Sequence, residues 1–301
     1  MSLLVTGSIA FDSVKTPHGS VTDVLGGSAV YFALAAAHYA PVRLVGVVGE
    51  DFPDSFRRVL DHPNIDMAGL EVRRGSKTFR WSGSYDGDMN EARTLDVHLN
   101  VLAEDAPRVP AAFADSRFVF LANTHPALQR ALLGQVKSAE LSVCDTRNLW
   151  IENEHDELIK TLAMVHGVII NDEEARMLSG QVNLIRAGEA LLKMGPRFAV
   201  VKKGEHGALL VTREGVAPIP AYPTREVKDP TGAGDSFAGG LLGYLASVGV
   251  VDAMTLRRAV ARGAVAASFA IESFSMDRLK AVSRQELDQR TREFTGMLRI
   301  E

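Results

Sequence analysis

Short apolar runs and helical periodicities alternate along most of this chain. LLVTGSIAF near the N-terminus, then VRLVGVVG, RFVFLA, LSVCD, GVIIN and FAVVKK, have the length and β-branched content of buried strands. Between them lie GGSAVYFALAAAHYA, DSFRRVL, ALQRALLGQVK, HDELIKTLAMVH, DEEARML and LIRAGEALLKM, with apolar residues three and four positions apart, as one face of a helix requires. The C-terminal stretches TLRRAVARGAVAASFAI and SRQELDQRTREFTGML read as two more helices. Strands alternating with helices predict an α/β protein with a largely parallel sheet.

One region breaks this rhythm. From Leu70 to about Leu102 the chain is more polar and has no clear helical pattern. Within it TFRWSGSY alternates, with Phe79, Trp81 and Tyr85 on one face and Arg80, Ser82 and Ser84 on the other. This predicts a small β excursion inserted in a single domain spanning 1–301, either a lid over a site or an edge hairpin over the core.

Composition narrows the function classes. The chain has 301 residues, 46% apolar and 23% charged, with a formal net charge of −4. No basic cluster longer than Lys202-Lys203 occurs, so it lacks the electrostatic footprint of a nucleic-acid binder. The single cysteine, Cys144, has no internal disulfide partner and sits in an apolar strand, which fits a reducing compartment. No run approaches the roughly 18 apolar residues of a membrane span. The N-terminus reads as a first strand rather than a signal peptide, so a cytoplasmic protein is expected.

The most informative stretch is DPTGAGDSFAGGLLGYL, Asp229 to Leu245. Gly232, Ala233 and Gly234 stand directly before Asp235 at the start of an apolar helix. A helix start has unpaired N–H groups and a positive dipole end, and small residues let an anion approach them. A carboxylate beside such a cradle suggests phosphoryl transfer. The bland alternative is a glycine turn with an acid favouring the dipole, but Gly239, Gly240 and Gly243 in the same helix imply close packing that would fix its N-terminus rigidly.

Three weaker sites accompany it. Asn171 and Glu174 follow a strand and make a capping box, or else hold a hydrated Mg²⁺. Asp12, with Gly26 and Gly27, is either a turn acid and a glycine cap or a grip on paired hydroxyls. Lys203, Gly204 and Gly207 form a tight turn that could admit a nucleotide. No GxxxxGK[ST], GxGxxG after the first strand, GxSxG or HExxH motif occurs, which disfavours a P-loop enzyme, a dinucleotide-dependent oxidoreductase, an α/β hydrolase and a zinc site.

Taken in order, these sites resemble the ribokinase-like (PfkB) carbohydrate and nucleoside kinase family. DPTGAGDSFAGG resembles its C-terminal signature, INDEEARMLSG its Asn-x-x-Glu motif, and GSIAFD with LGGSAVYFALAAA and VGVVGEDFP its N-terminal substrate region, from about residue 3 to about 275. The resemblance implies a three-layer α/β/α sandwich with a β lid at about 70–102, and a kinase that uses ATP and Mg²⁺. It implies Asp235 as general base and the Gly232, Ala233 and Gly234 amides as an anion hole. Asn171 and Glu174 would organise Mg²⁺ and phosphates, chiefly through water. Lys203, Gly204 and Gly207 would line the ATP site, and Asp12, Gly26 and Gly27 would hold the acceptor.

Three departures from the family pattern stand out. Several members carry a lid that serves as a dimer clasp, so the resemblance admits a homodimer. It also implies a monovalent cation near Asp229 and a glycine-containing loop downstream, yet here that loop, Ile271 to Met276, reads IESFSM. Tyr31 and Ala10 stand where many sugar kinases have Asn. Phe79, Trp81 and Tyr85 could stack on a nucleobase. A furanose sugar, a ribonucleoside and a cyclitol therefore all remain open, with a non-catalytic sensor as the rival from another class.

Overall fold

The computed structural model describes residues 1–137 and 139–299. Strand β1 (Leu3–Thr6) leads into a hairpin of β2 (Ala10–Thr16) and β3 (Gly19–Gly26), then helix α1 (Ser28–Ala37). Next come β4 (Val42–Gly49), α2 (Asp54–Leu60), β5 (Ile65–Arg73) and a second hairpin, β6 (Phe79–Tyr85) with β7 (Ala92–His98). Regular alternation follows: β8 (Phe118–Leu121), α3 (Pro126–Leu133), β9 (Leu141–Cys144), α4 (Asn148–Asn153), α5 (His155–Leu162), β10 (Gly167–Asn171), α6 (Asp172–Ser179), α7 (Leu184–Lys193) and β11 (Phe198–Lys202). Strands β12 (Ala208–Thr212) and β13 (Gly215–Ile219) precede α8 (Ala233–Val248), α9 (Ala253–Ala270), α10 (Asp277–Ala281) and α11 (Arg284–Met297).

Nine strands form the central sheet in the order β13-β12-β11-β10-β9-β8-β1-β4-β5. All its pairings are parallel except those of β12 and β13. Its strands are apolar throughout because both faces are covered. Leu3, Val5, Phe118, Phe120, Ile169 and Val200 pack on the side of α1, α8 and α9. Their neighbours Leu4, Val119, Leu121, Ile170 and Val201 pack on the side of α3, α5 and α7. Period-two alternation thus divides one sheet between two hydrophobic layers, and the α/β/α sandwich follows. Cys144 is buried, as its context implies. Among the described residues no helix is long and apolar enough to cross a membrane.

The β excursion is only half of what the sequence pattern implies. Its strands β6 and β7 join β2 and β3 in a four-stranded sheet, β3-β2-β6-β7, while Leu70 to Arg73 belongs to the central sheet. The apolar run LLVTGSIAF, which reads as one strand, breaks at residues 7–9 so that its second half crosses into this lid sheet. Hydroxyl and amide exchange fixes that crossing. Ser28 N–H donates to Ser8 Oγ (2.9 Å), and Ser8 N–H donates to Ser28 Oγ (3.1 Å). No local pattern could reveal a sheet built from two hairpins more than fifty residues apart.

Close packing of α8 positions the rest. A Cβ on Gly239 would lie 2.5 Å from Phe32 O, and one on Gly243 would lie 2.9 Å from Ala36 Cα, both on α1. A Cβ on Gly240 would lie 2.6 Å from Ala266 Cβ on α9. Gly239→Ala is therefore expected to lose about 1–3 kcal/mol by overpacking, although alanine is the better helix former. Gly296, exposed in α11 with no neighbour in the way of a Cβ, is the control. Gly296→Ala should gain up to about 1 kcal/mol. Urea unfolding of the two variants gives opposite shifts of midpoint if steric contact, rather than propensity, decides.

Candidate active site

The central sheet runs outward in two directions, β1 to β4 to β5 and β8 to β9 to β10 to β11, so the strand order reverses between β1 and β8. Open α/β sheets form a crevice at the carboxyl ends of the strands beside such a reversal. The N-terminus of α8 lies at this crevice, packed against β1 and β8. Gly232 is its N-cap, in the left-handed region with φ 73°. A Cβ there would meet the Tyr31 ring at 2.3 Å, so the ring lies flat on the glycine. Ala233 N–H is engaged by Pro230 O at 3.1 Å. The amides of Gly232 and Gly234 have no backbone partner among the described residues. Two of the three expected anion-hole donors are thus free, and the third is tied into its own turn.

Lys202, at the end of β11, completes this cradle. Its Nζ is 2.6 Å from the position a Cβ of Gly234 would occupy, which places an ammonium directly on the turn. The motif reading chose Lys203 instead, whose backbone N–H donates to Gly207 O (2.7 Å) and so closes the β11–β12 turn. Gly207, at φ 82°, is held by β13, because a Cβ would lie 2.2 Å from Ile219 O. Gly204 faces the lid, where its Cβ would lie 2.5 Å from Asn90 Oδ1. The tip of the β6–β7 hairpin therefore reaches the turn assigned to the nucleotide.

Asp12 is buried at the start of β2 with its carboxyl over Gly26, where a Cβ would fall 1.9 Å from Oδ2. Gly27 adopts φ 99°, with its backbone N–H toward the Asp12 carboxyl. Burial raises that carboxyl to about 7, opposed by the Gly27 N–H and helped by Asp229 and Asp235. Across the lid sheet Asp12 pairs with Trp81, and Trp81 in turn pairs with Val97 on β7. Directly paired residues share a face, so a carboxylate, an indole and an exposed valine form one surface. The Trp81 ring lies along its strand over Gly83, and its Nε1 donates to Thr94 Oγ1 (3.2 Å). Phe79, half-buried, pairs with Ala10. Tyr85, at the end of β6, brings its hydroxyl within 3.3 Å of Thr231 Oγ1 in the signature.

Asn171 and Glu174 satisfy both of their readings. Glu174 N–H donates to Asn171 Oδ1 (2.7 Å) and Asn171 N–H donates to Glu174 Oε2 (2.9 Å), a full capping box. Yet Glu174 is buried, and burial raises its carboxyl while Lys202 and Arg147 oppose the rise. Asp145, which ends β9, is raised by burial and then by Asp235, and its Oδ1 is buried without a hydrogen-bond partner. Asp235 is raised by burial against Lys202 and Arg147. Among the described residues no three acidic, histidine or cysteine side chains are placed to hold an ion directly. An orphaned carboxylate oxygen beside Glu174 nevertheless fits Mg²⁺, which keeps several waters and takes one or two carboxylates.

The signature's other acid, Asp229, is buried and raised by burial. It accepts from Thr231 N–H (2.9 Å) and Ser275 N–H (3.4 Å). The downstream loop that lacks glycine still enters the left-handed region, at Ser275 with φ 53°. Its Ile271 O accepts from Lys228 N–H (2.8 Å). Asp145, Arg147 and Lys202 were absent from the motif-based site. All three follow from the strand-end rule, since they lie at or just beyond the carboxyl end of a parallel strand.

Known proteins resemble this chain in sequence and in fold. Residues 2–279 match the family model described as pfkB family carbohydrate kinase. A cytidine kinase of Thermococcus kodakarensis is 30% identical over 251 residues, which cover 81% of this chain and 88% of that protein. An aminoimidazole riboside kinase of Salmonella typhimurium is 25% identical, covering 89% of this chain and 88% of that one. The structure of Burkholderia thailandensis nucleoside kinase in complex with inosine superposes with a TM-score of 0.80 at 22% identity, over 98% of this chain and 99% of that one. The chain belongs to the pfkB family of carbohydrate kinases, phosphotransferases with a hydroxyl acceptor.

Proposed function

We propose that this kinase transfers the γ-phosphoryl of ATP to a hydroxyl of a ribonucleoside. The observation that carries this reading is the pairing of Asp12 with Trp81 on adjacent lid strands. A carboxylate that grips sugar hydroxyls is then one strand spacing, about 4.8 Å, from an indole face. A free sugar has nothing to place against Trp81 and Val97, whereas a nucleoside has its base. The names of the cytidine, nucleoside and aminoimidazole riboside kinases among its relatives support the same class.

In this reading Asp235 takes the proton of the acceptor hydroxyl. Its oxygen forms a bond to the γ-phosphorus as the bond to the β–γ bridging oxygen breaks, and ADP leaves. Burial, by raising the Asp235 carboxyl, makes it a stronger base than an exposed aspartate. The Gly232 and Gly234 amides and Lys202 would receive the phosphoryl oxygens in positions fixed before reaction. Glu174 and Asp145 would hold Mg²⁺, which when bound neutralises phosphate charge. Tyr85 and Asn90 would close the lid onto both substrates.

Three outcomes test this. Asp235→Asn should keep ATP binding and lower turnover roughly 10²–10⁴-fold in an ADP-release assay; unchanged turnover would remove Asp235 from the mechanism. Trp81→Ala should raise KM about 10- to 100-fold for cytidine, adenosine or inosine, because base stacking contributes about 1–3 kcal/mol. It should leave ribose, fructose and myo-inositol nearly unaffected, and equal losses across the panel would exclude a base-stacking role.

Asp12 supplies a pH test. Its folded value of about 7 exceeds the ordinary 3.8, so the folded state holds this proton where the unfolded chain has released it. The group's contribution to stability is thus full below about pH 4 and is lost as pH rises through 7. Acceptor binding runs the other way, strengthening as the carboxylate forms. Asp12→Asn should raise the apoprotein Tm above pH 7, abolish the pH step in acceptor affinity, and raise acceptor KM by about tenfold or more. A wild-type acceptor affinity that is flat from pH 5.5 to 8.5 would contradict the assignment.

A further inference from the structure

Glu174 is held by Asn171, Asp229 by Thr231 and Ser275, and Lys202 lies on the Gly234 turn. Arg147 is an exposed cation that forms no side-chain hydrogen bond or ion pair with the described residues. The titratable groups it faces are Glu174, Asp235, Tyr85 and Asp145, all of the cleft.

Its stem, by contrast, is fixed. Arg147 is the N-cap of α4, and its carbonyl accepts from the N–H groups of Trp150 (2.9 Å) and Ile151 (3.2 Å). The helix it opens is pinned on both sides. Asn148 Nδ2 donates to Glu173 Oε2 (3.1 Å) at the start of α6, and Trp150 Nε1 donates to Asn123 Oδ1 (2.9 Å) beyond β8. The Trp150 ring is packed edge-on to His125 at 5.2 Å between centroids. A cation on a rigid base therefore stands between the end of β8 and the start of α6, at the carboxyl ends of the strands beside the reversal of strand order. Burial works against its charge, but Glu174 and Asp235 hold it protonated, followed by Tyr85 and Asp145.

The charge balance needs such a group. Asp12, Asp145, Glu174, Asp229 and Asp235 line this cleft, with Lys202 as the other facing cation. A triphosphate entering among five carboxyls meets strong repulsion. Lys202 is committed to the helix turn, so a second cation must meet the remaining phosphoryl oxygens. Guanidinium suits that task better than ammonium, because its planar fork bonds two oxygens of one phosphoryl group at once. Since no carboxylate of the protein occupies the fork, it is available to a ligand.

We propose that Arg147 binds the γ-phosphoryl of ATP directly, as the second cation of the transfer site, and so distinguishes ATP from ADP. The proposal rests on the reading that the Gly232–Asp235 turn marks the point of transfer. It does not depend on which acceptor is used.

The test is calorimetric binding of Mg-ATP and Mg-ADP, without acceptor, to the wild type, Arg147→Gln and Arg147→Lys. Arg147→Gln should bind ADP within about twofold of wild type and ATP about 10- to 100-fold more weakly, the range for losing charged hydrogen bonds. Arg147→Lys, which keeps the charge without the fork, should recover part of the difference. Millimolar methylguanidinium should restore ATP binding to Arg147→Gln but not affect ADP. An ATP-to-ADP preference equal to wild type in both variants would overturn the proposal, as would parallel weakening of both nucleotides in both variants. An acceptor panel without turnover would instead defeat the nucleoside reading, leaving the nucleotide preference to be read independently.

Discussion

Helix α8 can lie against α1 at backbone contact only because Gly239 and Gly243 carry no side chain, and the site depends on that contact. The same approach that brings Gly239 to Phe32 O brings the N-terminus of α8 to Tyr31, one residue earlier on α1. Gly232 must then turn through the left-handed region with the Tyr31 ring on its face. A side chain at Gly232 would meet both a steric and a conformational penalty. The free amides of the turn are therefore aimed by packing at the seventh and eleventh residues of the helix, a supporting shell of the kind that preorganised sites require.

Electrostatics adds a second constraint. The crevice at the reversal of strand order collects the ends of β2, β9, β10 and β11, and each contributes a charged group: Asp12, Asp145, Glu174 and Lys202. Burial raises the acids, and each would be costly to keep ionised without a ligand to compensate. Folding thus leaves the site electrostatically unfinished. Two cations face these acids, Lys202 on the turn and Arg147 without a side-chain partner among the described residues.

The lid joins the two halves of this arrangement. Strand β6 carries Trp81 beside Asp12 at its middle and Tyr85 beside Thr231 at its end, and the turn beyond it reaches Gly204. One hairpin therefore reaches Asp12, the signature at Thr231 and the Gly204 turn. The period-two alternation of TFRWSGSY made its aromatic face legible, because side-chain direction in a strand is local. Its partners were not legible, because the pairing of β6 with β2 joins residues about seventy positions apart.

The sequence by itself determined an α/β protein with a largely parallel sheet, since most of its buried strands and amphipathic helices are specified by the periodicity of their own residues. It also determined the turn at Gly232, because only small residues permit that backbone, and the Asn171–Glu174 capping box, because its bonds span three positions. Tertiary structure alone decided that Lys202 rather than its neighbour Lys203 meets the turn, that Asp145 and Arg147 enter the cleft, and that the lid takes half of its strands from residues 10–26. Those outcomes rest on which strand ends converge and which way each residue faces there. Convergence is a property of sheet order and packing, and no window of neighbouring residues encodes it.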